Sequence, residues 1–353
     1  MGRSSVILES LPLKMLTDFA QKADEHGYDT VWKPEIIFSD TFVPSTAFAL
    51  KTKRVHIGSC IAGIWGRSPV VTALSASALA ELSGNRLILG LGTQARSYVE
   101  GWHGLSYDRP LTRARELITV IKKILSGEVV SFEGKTMSLQ HFQLALTGPP
   151  PKVPIYLAAI GPKMTQLAGE IADGVIGYFQ PINYFRDTFL KNLEIGAKKA
   201  GRTLDDIDIV VGHPALVSND PKAVEWIKPH VVMFATAGGS SPTYAGMVKS
   251  AGFEKNLEGM LAGIANGSMD EAASHVSDEM VEAMTLCGTA QHVADRMDDY
   301  HQAGVKMTLM NPVPPKAYFP LFAGHFPETM KFPQPDVEAF VQNVDNIVTK
   351  VPL

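Results

Sequence analysis

VHIGSCIAGIWGRSPVVTALSASALAELSGNRLILGLG, Val55–Gly92, is the stretch that decides the fold. It opens on a short apolar run, Val55–Ile61, and then passes through a turn into a segment of helical period from Pro69 to Leu82. A second apolar run follows, Arg86–Leu91. Neither run alternates polar with apolar residues, which is the pattern of parallel strands covered on both faces. Pro69 suits the first position of a helix, where a backbone N–H would have no partner. The stretch therefore reads as one strand–helix–strand unit.

The same rhythm continues in both directions. Upstream, Val6–Leu8 precedes a helix from Pro12 with Leu16, Phe19, Ala20 and Ala23 on one face and Gly27 as its stop; Thr30–Trp32 precedes a helix over Ser45–Lys51. Downstream, a helix runs from Pro110 to Gly127. Strands are read at Pro154–Ala159, Val175–Phe179, Ile207–Val211 and Val305–Met310, with helices at Pro162–Ile171, Tyr184–Ala200 and Gln291–Ala303. Eight such units point to a closed (β/α)8 barrel, an α/β fold, with a doubly wound open sheet as the competitor. Residues 1–353 are read as one barrel domain. Two stretches interrupt it: a hairpin and loop at about 128–153, and a helical insertion at about 230–285 with a turn at Gly238–Ser241. Insertions of this kind sit over a barrel mouth and shape the ligand pocket.

With 45 % hydrophobic and 19 % charged residues, the chain can bury a large core, so disorder is excluded as its character. A formal charge of −4 gives no electrostatic reason for a nucleic-acid partner. Cys60 and Cys287 have neither metal nor redox spacing; no secretory leader and no apolar run of about 18 residues is read. These features point to a cytoplasmic protein without a membrane span. The histidines form no HExxH or other metal spacing, and no GxSxG elbow occurs, so neither a metal site nor a serine hydrolase is read.

In such a barrel the working residues stand at the C-terminal ends of the strands. That places Glu9, Glu35, Ser59–Ala62, Gly92–Thr93 and Ala159–Lys163 at the mouth. A carboxylate there can exchange a proton with a ligand or orient it; Glu9 and Glu35 read equally well as acids paired with a neighbouring base. In Gly161–Pro162–Lys163 the glycine lets a ligand approach the backbone, the proline opens a helix, and the helix start attracts anions beside a lysine. The same sequence also serves as an ordinary strand–helix connector. Trp65 and Trp102 are candidates either for stacking on a ring or for packing.

Five segments resemble the luciferase-like flavin-dependent family, and within it the F420-dependent methylenetetrahydromethanopterin reductase-like branch. They are IGSCIAGIWGRSP (Ile57–Pro69), LILGLGTQ (Leu87–Gln94), RPLTRARELITVIKKILSGEVVSFEGK (Arg109–Lys135), VPIYLAAIGPKMTQLAGEIADGV (Val153–Val175) and VSDEMVEAMTLCGTAQHVADRM (Val276–Met297). The resemblance implies a (β/α)8 barrel that binds coenzyme F420 at its mouth and transfers hydride between the deazaflavin ring and a small organic substrate. A bulge with a cis peptide at Cys60–Ile61 would back the ring through Ser59, Cys60, Ile61 and Ala62. Gly92–Thr93 would face the cofactor, and Ala159, Ile160, Gly161, Pro162 and Lys163 would hold its phosphate. Glu9 and Glu35 fall where the reductases carry acids, and a homodimer paired through the second and third helices is implied. An FMN-dependent monooxygenase on the same barrel and a non-catalytic flavin-binding protein are the alternatives. The chain departs from the reductases at Thr93–Gln94–Ala95, where they carry an acid, and at Ala62–Gly63–Ile64–Trp65, where they carry polar residues; the sequence names no substrate.

Overall fold

The computed structural model describes residues 2–146, 148–236, 242–315 and 336–353. Eight strands pair in parallel and close on themselves: β1 (Arg3–Ile7), β2 (Thr30–Lys33), β3 (His56–Ser59), β5 (Leu87–Gly92), β8 (Ile155–Ala158), β9 (Gly174–Tyr178), β10 (Asp208–Val217) and β12 (Met307–Pro312), which returns to β1. Two short strands are added to this ring. β4 (Ala62–Gly63) resumes the course of β3 and pairs with the end of β5; β11 (Leu286–Gly288) pairs with the end of β10. β6 (Val130–Glu133) and β7 (Ser138–Phe142) form a separate antiparallel hairpin.

The outer layer consists of α1 (Leu13–His26), α2 (Phe42–Lys51), α3 (Pro69–Ser83), α5 (Pro110–Leu125), α6 (Pro162–Ile171), α8 (Leu190–Lys199), α14 (Ala290–Ala303) and α15 (Val337–Lys350). A short α4 (Arg96–Trp102) follows β5, and α7 (Ile182–Tyr184) with a π-helical stretch, Phe185–Phe189, leads into α8. The local signals in the opening unit act as read. Pro69 occupies the first turn of α3, the Ser68 hydroxyl accepts from the Val71 N–H at 3.2 Å, and Gly84 stops the helix at φ 67°.

The barrel interior is filled by Ile7, Trp32, Ile88, Tyr156, Ile176, Val210, Met307 and Leu309. The register aligns Ile7 with Trp32, Trp32 with Gly58, and Gly58 with Ile88, and the Trp32 ring occupies the space that a side chain on Gly58 would need. At the N-terminal end, Arg3 pairs with Asp208, which also accepts from the Tyr156 hydroxyl. That end is therefore sealed, and the C-terminal end is left as the mouth.

The helical insertion consists of α9 (Ala223–Thr236), α10 (Pro242–Ser250), α11 (Glu254–Ala265), α12 (Met269–Ser274) and α13 (Asp278–Met284). It starts nearer residue 223 than the sequence reading put it, and it has its own apolar cluster, which reaches Phe179 of the barrel. The turn read at Gly238–Ser241 lies outside the described residues. The hairpin lies within the stretch read for it, its second strand running to Phe142, and the second barrel helix begins at Phe42, three residues before Ser45. There Asp40 accepts from the Phe42 N–H, and an aspartate two residues ahead of the first turn is a weaker cue than a proline. β10 continues six residues beyond Val211, because its far end pairs with β11 and β12.

Candidate active site

The ends of β1, β2, β3 and β5 build one wall of the mouth, and the bulge between β3 and β4 is its centre. The Cys60–Ile61 peptide is cis, at the position the resemblance implies. The bulge is tied from every side. Cys60 N–H donates to the Lys33 carbonyl (3.1 Å), the Ser59 hydroxyl to the Gly90 carbonyl (2.8 Å), and Ile64 N–H to the Gly92 carbonyl (3.1 Å). Trp65 Nε1 donates to the Thr93 carbonyl at 3.0 Å. Two glycines of β5 make this approach possible. A Cβ on Gly90 would overlap the Ser59 carbonyl oxygen, and one on Gly92 would overlap the Ile61 side chain. Ser59, Cys60, Ile61, Ala62 and Gly92 thus form a single packed surface.

Glu35 is held within that surface. Its Oε2 accepts from Gly63 N–H at 2.9 Å, and its Oε1 takes Arg67 at 2.9–3.0 Å; Arg67 also reaches Asp40 at 3.2 Å. Both oxygens are engaged, so the carboxylate braces the bulge. An Arg67→Ala protein should lose about 1.5–3 kcal/mol of stability in chemical denaturation, the usual worth of hydrogen bonds to a charged group. Trp65 is likewise committed to packing: its ring lies 5.1 Å from Tyr107 and 5.0 Å from the Arg113 guanidinium. Trp102 stacks on Tyr98 at 3.8 Å.

Glu9 is different. Its Oε2 is buried without a hydrogen-bond partner, and burial pushes its pKa up from 4.5 to about 7, against the opposing pull of Lys33. Lys33 is fully buried at the end of β2, where its ammonium donates to the Pro34 carbonyl at 2.8 Å; burial lowers its pKa. The Cys60 thiol, raised to about 12 by burial and then by Glu9, stays neutral and serves as surface rather than as nucleophile.

The opposite rim comes from β8, β9, β12 and the insertion. Ala159 N–H donates to the Ile176 carbonyl at 2.9 Å, the Tyr184 hydroxyl donates to the Ile160 carbonyl at 3.2 Å, and Gly161 caps α6 with Pro162 in its first turn. The first-turn amides of α6 point out of the helix, as at any helix start, and Lys163 is exposed beside them. A Cβ on Gly161 would come within 3.3 Å of the Thr243 hydroxyl, so the start of α10 meets the start of α6 here. Tyr178 and Asn311, which the sequence reading did not single out, stand at the ends of β9 and β12, with Asn311 Nδ2 donating to the Tyr178 hydroxyl at 2.8 Å. Besides Glu9, Gln94 Oε1, Ser97 Oγ and Asn311 Oδ1 are buried without partners. Buried polar atoms are normally paired, so a polar ligand that offers several hydrogen-bonding groups fits this mouth. Among the described residues, no group of three His, Cys, Asp or Glu side chains is arranged to hold a metal ion.

A sequence profile of the luciferase-like monooxygenase family matches residues 2–307. The chain is 30 % identical over 298 residues to the 5,10-methylenetetrahydromethanopterin reductase of Methanolobus tindarius, covering 83 % of this chain and 89 % of that protein. Its fold is similar to that of the coenzyme F420-dependent tetrahydromethanopterin reductase of Methanopyrus kandleri, with a TM-score of 0.76 and 25 % identity over 88 % of this chain and 92 % of that one. An F420-dependent secondary alcohol dehydrogenase, solved with an F420–acetone adduct, shares the fold over 99 % of both chains, with a TM-score of 0.73 and 18 % identity. With the barrel, the bulge and the profile match in agreement, the chain belongs to the luciferase-like monooxygenase family.

Proposed function

We propose that this chain is an F420-dependent oxidoreductase that exchanges hydride between the deazaflavin ring and a small organic substrate. The observation that carries the reading is the pairing of a close-packed shelf, Ser59–Ala62 with Gly92 and Thr93, with an amide-rich helix start at Ala159–Lys163 on the same mouth. The shelf suits the face of a flat tricyclic ring, and the helix start suits its phosphate. The similarity to an F420-dependent reductase selects F420 over FMN. When bound, the group supplies two-electron hydride chemistry at its ring. The chain's own part is to hold the ring against Cys60, Ile61 and Ala62, to keep water from it beneath the insertion, and to move a proton through Glu9. Glu35 acts one step back, as the residue that positions the shelf.

A test separates the two halves of the site. F420 should bind at least about tenfold more tightly than its phosphate-free deazaflavin chromophore, a difference of about 1.4 kcal/mol. Lys163→Ala should narrow that gap, as measured by fluorescence titration. Equal affinity for the two compounds would remove the phosphate from Gly161–Lys163.

The same reading places the protein in the cytoplasm as a homodimer. Both cysteines are free, and among the described residues no helix is long and apolar enough to cross a membrane. α2 and α3 lie side by side and turn Val43, Leu50, Val71, Leu74 and Leu82 outward, with Val43 and Leu50 exposed by 66 % and 69 %. Exposed apolar side chains gathered on two neighbouring helices support an interface there. The double substitution Leu50→Glu, Leu74→Glu should convert a dimer to a monomer in sedimentation velocity, with the barrel's circular dichroism unchanged.

A further inference from the structure

Tyr178 and Asn311 face the mouth from adjacent quarters of the barrel and are bonded to each other, yet their hydrogen bonding is incomplete. As placed, Asn311 Nδ2 donates to the phenolic oxygen at 2.8 Å, so the phenol's own hydrogen is directed elsewhere, and Asn311 Oδ1 is buried with no partner. Turning the amide over exchanges the roles without closing the account. The phenol would then donate to Oδ1, and the amide N–H would be the group left open. In either arrangement a donor stays open and an oxygen can still accept, Oδ1 as placed and the phenolic oxygen after the flip.

The surroundings fix where that offer is made. Tyr178 lies on the inner face of β9, and its ring fills the space beside Gly212. Its hydroxyl is within electrostatic range of Glu9, the Cys60 thiol and the Tyr244 hydroxyl. Phe234 of α9 packs 5.0 Å from its ring, and Tyr244 lies 6.1 Å from the neighbouring Phe179, so aromatic residues of the insertion cover this part of the mouth. Tyr178 is thus between the shelf and the insertion, on the side where a substrate would lie over the ring.

We propose that Tyr178 and Asn311 form a paired clamp for a hydroxyl or carbonyl oxygen of the substrate, so that the carbon exchanging hydride is the carbon bearing that oxygen. This rests on the F420 reading. An alcohol satisfies both members of the pair at once, donating to one and accepting from the other. The corresponding ketone or aldehyde uses the donor alone. The site therefore favours alcohol–carbonyl couples over isolated alkenes, which can use neither group.

The test uses the F420-loaded protein and matched small probes, 2-propanol with acetone, cyclohexanol with cyclohexanone, and benzyl alcohol with benzaldehyde, against cyclohexene. Binding is read as a change in bound-F420 fluorescence. At least one alcohol–carbonyl couple should bind, and Tyr178→Phe and Asn311→Leu should each weaken that couple at least about tenfold. F420 affinity and melting temperature should stay as in the parent, which a purely structural role for the pair does not predict. The clamp is overturned if no oxygenated probe binds, if cyclohexene binds as well as cyclohexanol, or if both variants bind the couple as the parent does. A parent protein that fails to bind F420 overturns the cofactor reading instead.

Discussion

Replacing Glu9 with Gln should lower turnover by about 10²–10⁴-fold, the usual worth of a positioned general acid or base, while leaving F420 affinity nearly unchanged. The two carboxylates expected at the mouth differ in what surrounds them. Glu35 has both oxygens occupied by Gly63 and Arg67, whereas Glu9 keeps a buried oxygen free. Burial also places the titration of Glu9 at about 7, where an acid can both give and take a proton in neutral solution. The pH profile of kcat/KM in the parent should break near that value, and the break should vanish in Glu9→Gln. Stability carries the same signature with a definite sign. Between pH 4.5 and about 7 the folded state retains a proton that the unfolded state has released. Stability of the parent relative to Glu9→Gln should therefore fall as pH rises through that window and stay level below it. A parent-minus-variant melting difference that is flat from pH 4 to pH 8 would return Glu9 to the ordinary carboxylates.

The second large effect is expected at Gly90. An added methyl group there meets the Ser59 backbone oxygen, which cannot rotate away, so β3 and the bulge must move. Overpacking of this kind costs about 1–3 kcal/mol, and displacing the shelf by even about 1 Å is enough to cost about a hundredfold in rate. Gly92→Ala makes a useful contrast, because its methyl group first meets the tip of the Ile61 side chain, which can turn. The order parent, Gly92→Ala, Gly90→Ala in both melting temperature and turnover is the predicted result. Equal loss in the two variants would mean that the shelf does not depend on the backbone contact.

The barrel was legible because its strands are buried on both faces and its helices carry clear stops and starts. Val55–Ile61, Pro69 and Arg86–Leu91 say as much as the structure does about the third unit, and the eight strands fall where the apolar runs lie. What escaped was short or depended on distant partners. β4 and β11 have two and three residues, too few for a period, and exist because β5 and β10 offer them edges. α4 lies in a polar stretch, Arg96–Trp102, and α15 follows a long segment without strand or helix cues. In the candidate site, the strand ends directed attention to Glu9, the bulge and Gly161. The separate fates of Glu9 and Glu35 were not readable, because they depend on Arg67 thirty-two residues further on. Tyr178 and Asn311 were missed for a related reason. Each closes an apolar strand in an unremarkable way, and only the closure of β9 to β10 and β10 to β12 brings them together across 133 residues of chain.

The most direct test of the account is a side-by-side equilibrium titration of the purified protein with F420 and with FMN. F420 should bind with a Kd on the order of 1 μM and FMN at least about a hundredfold more weakly, a gap of about 2.7 kcal/mol. FMN binding as tightly as F420, or more tightly, would contradict it.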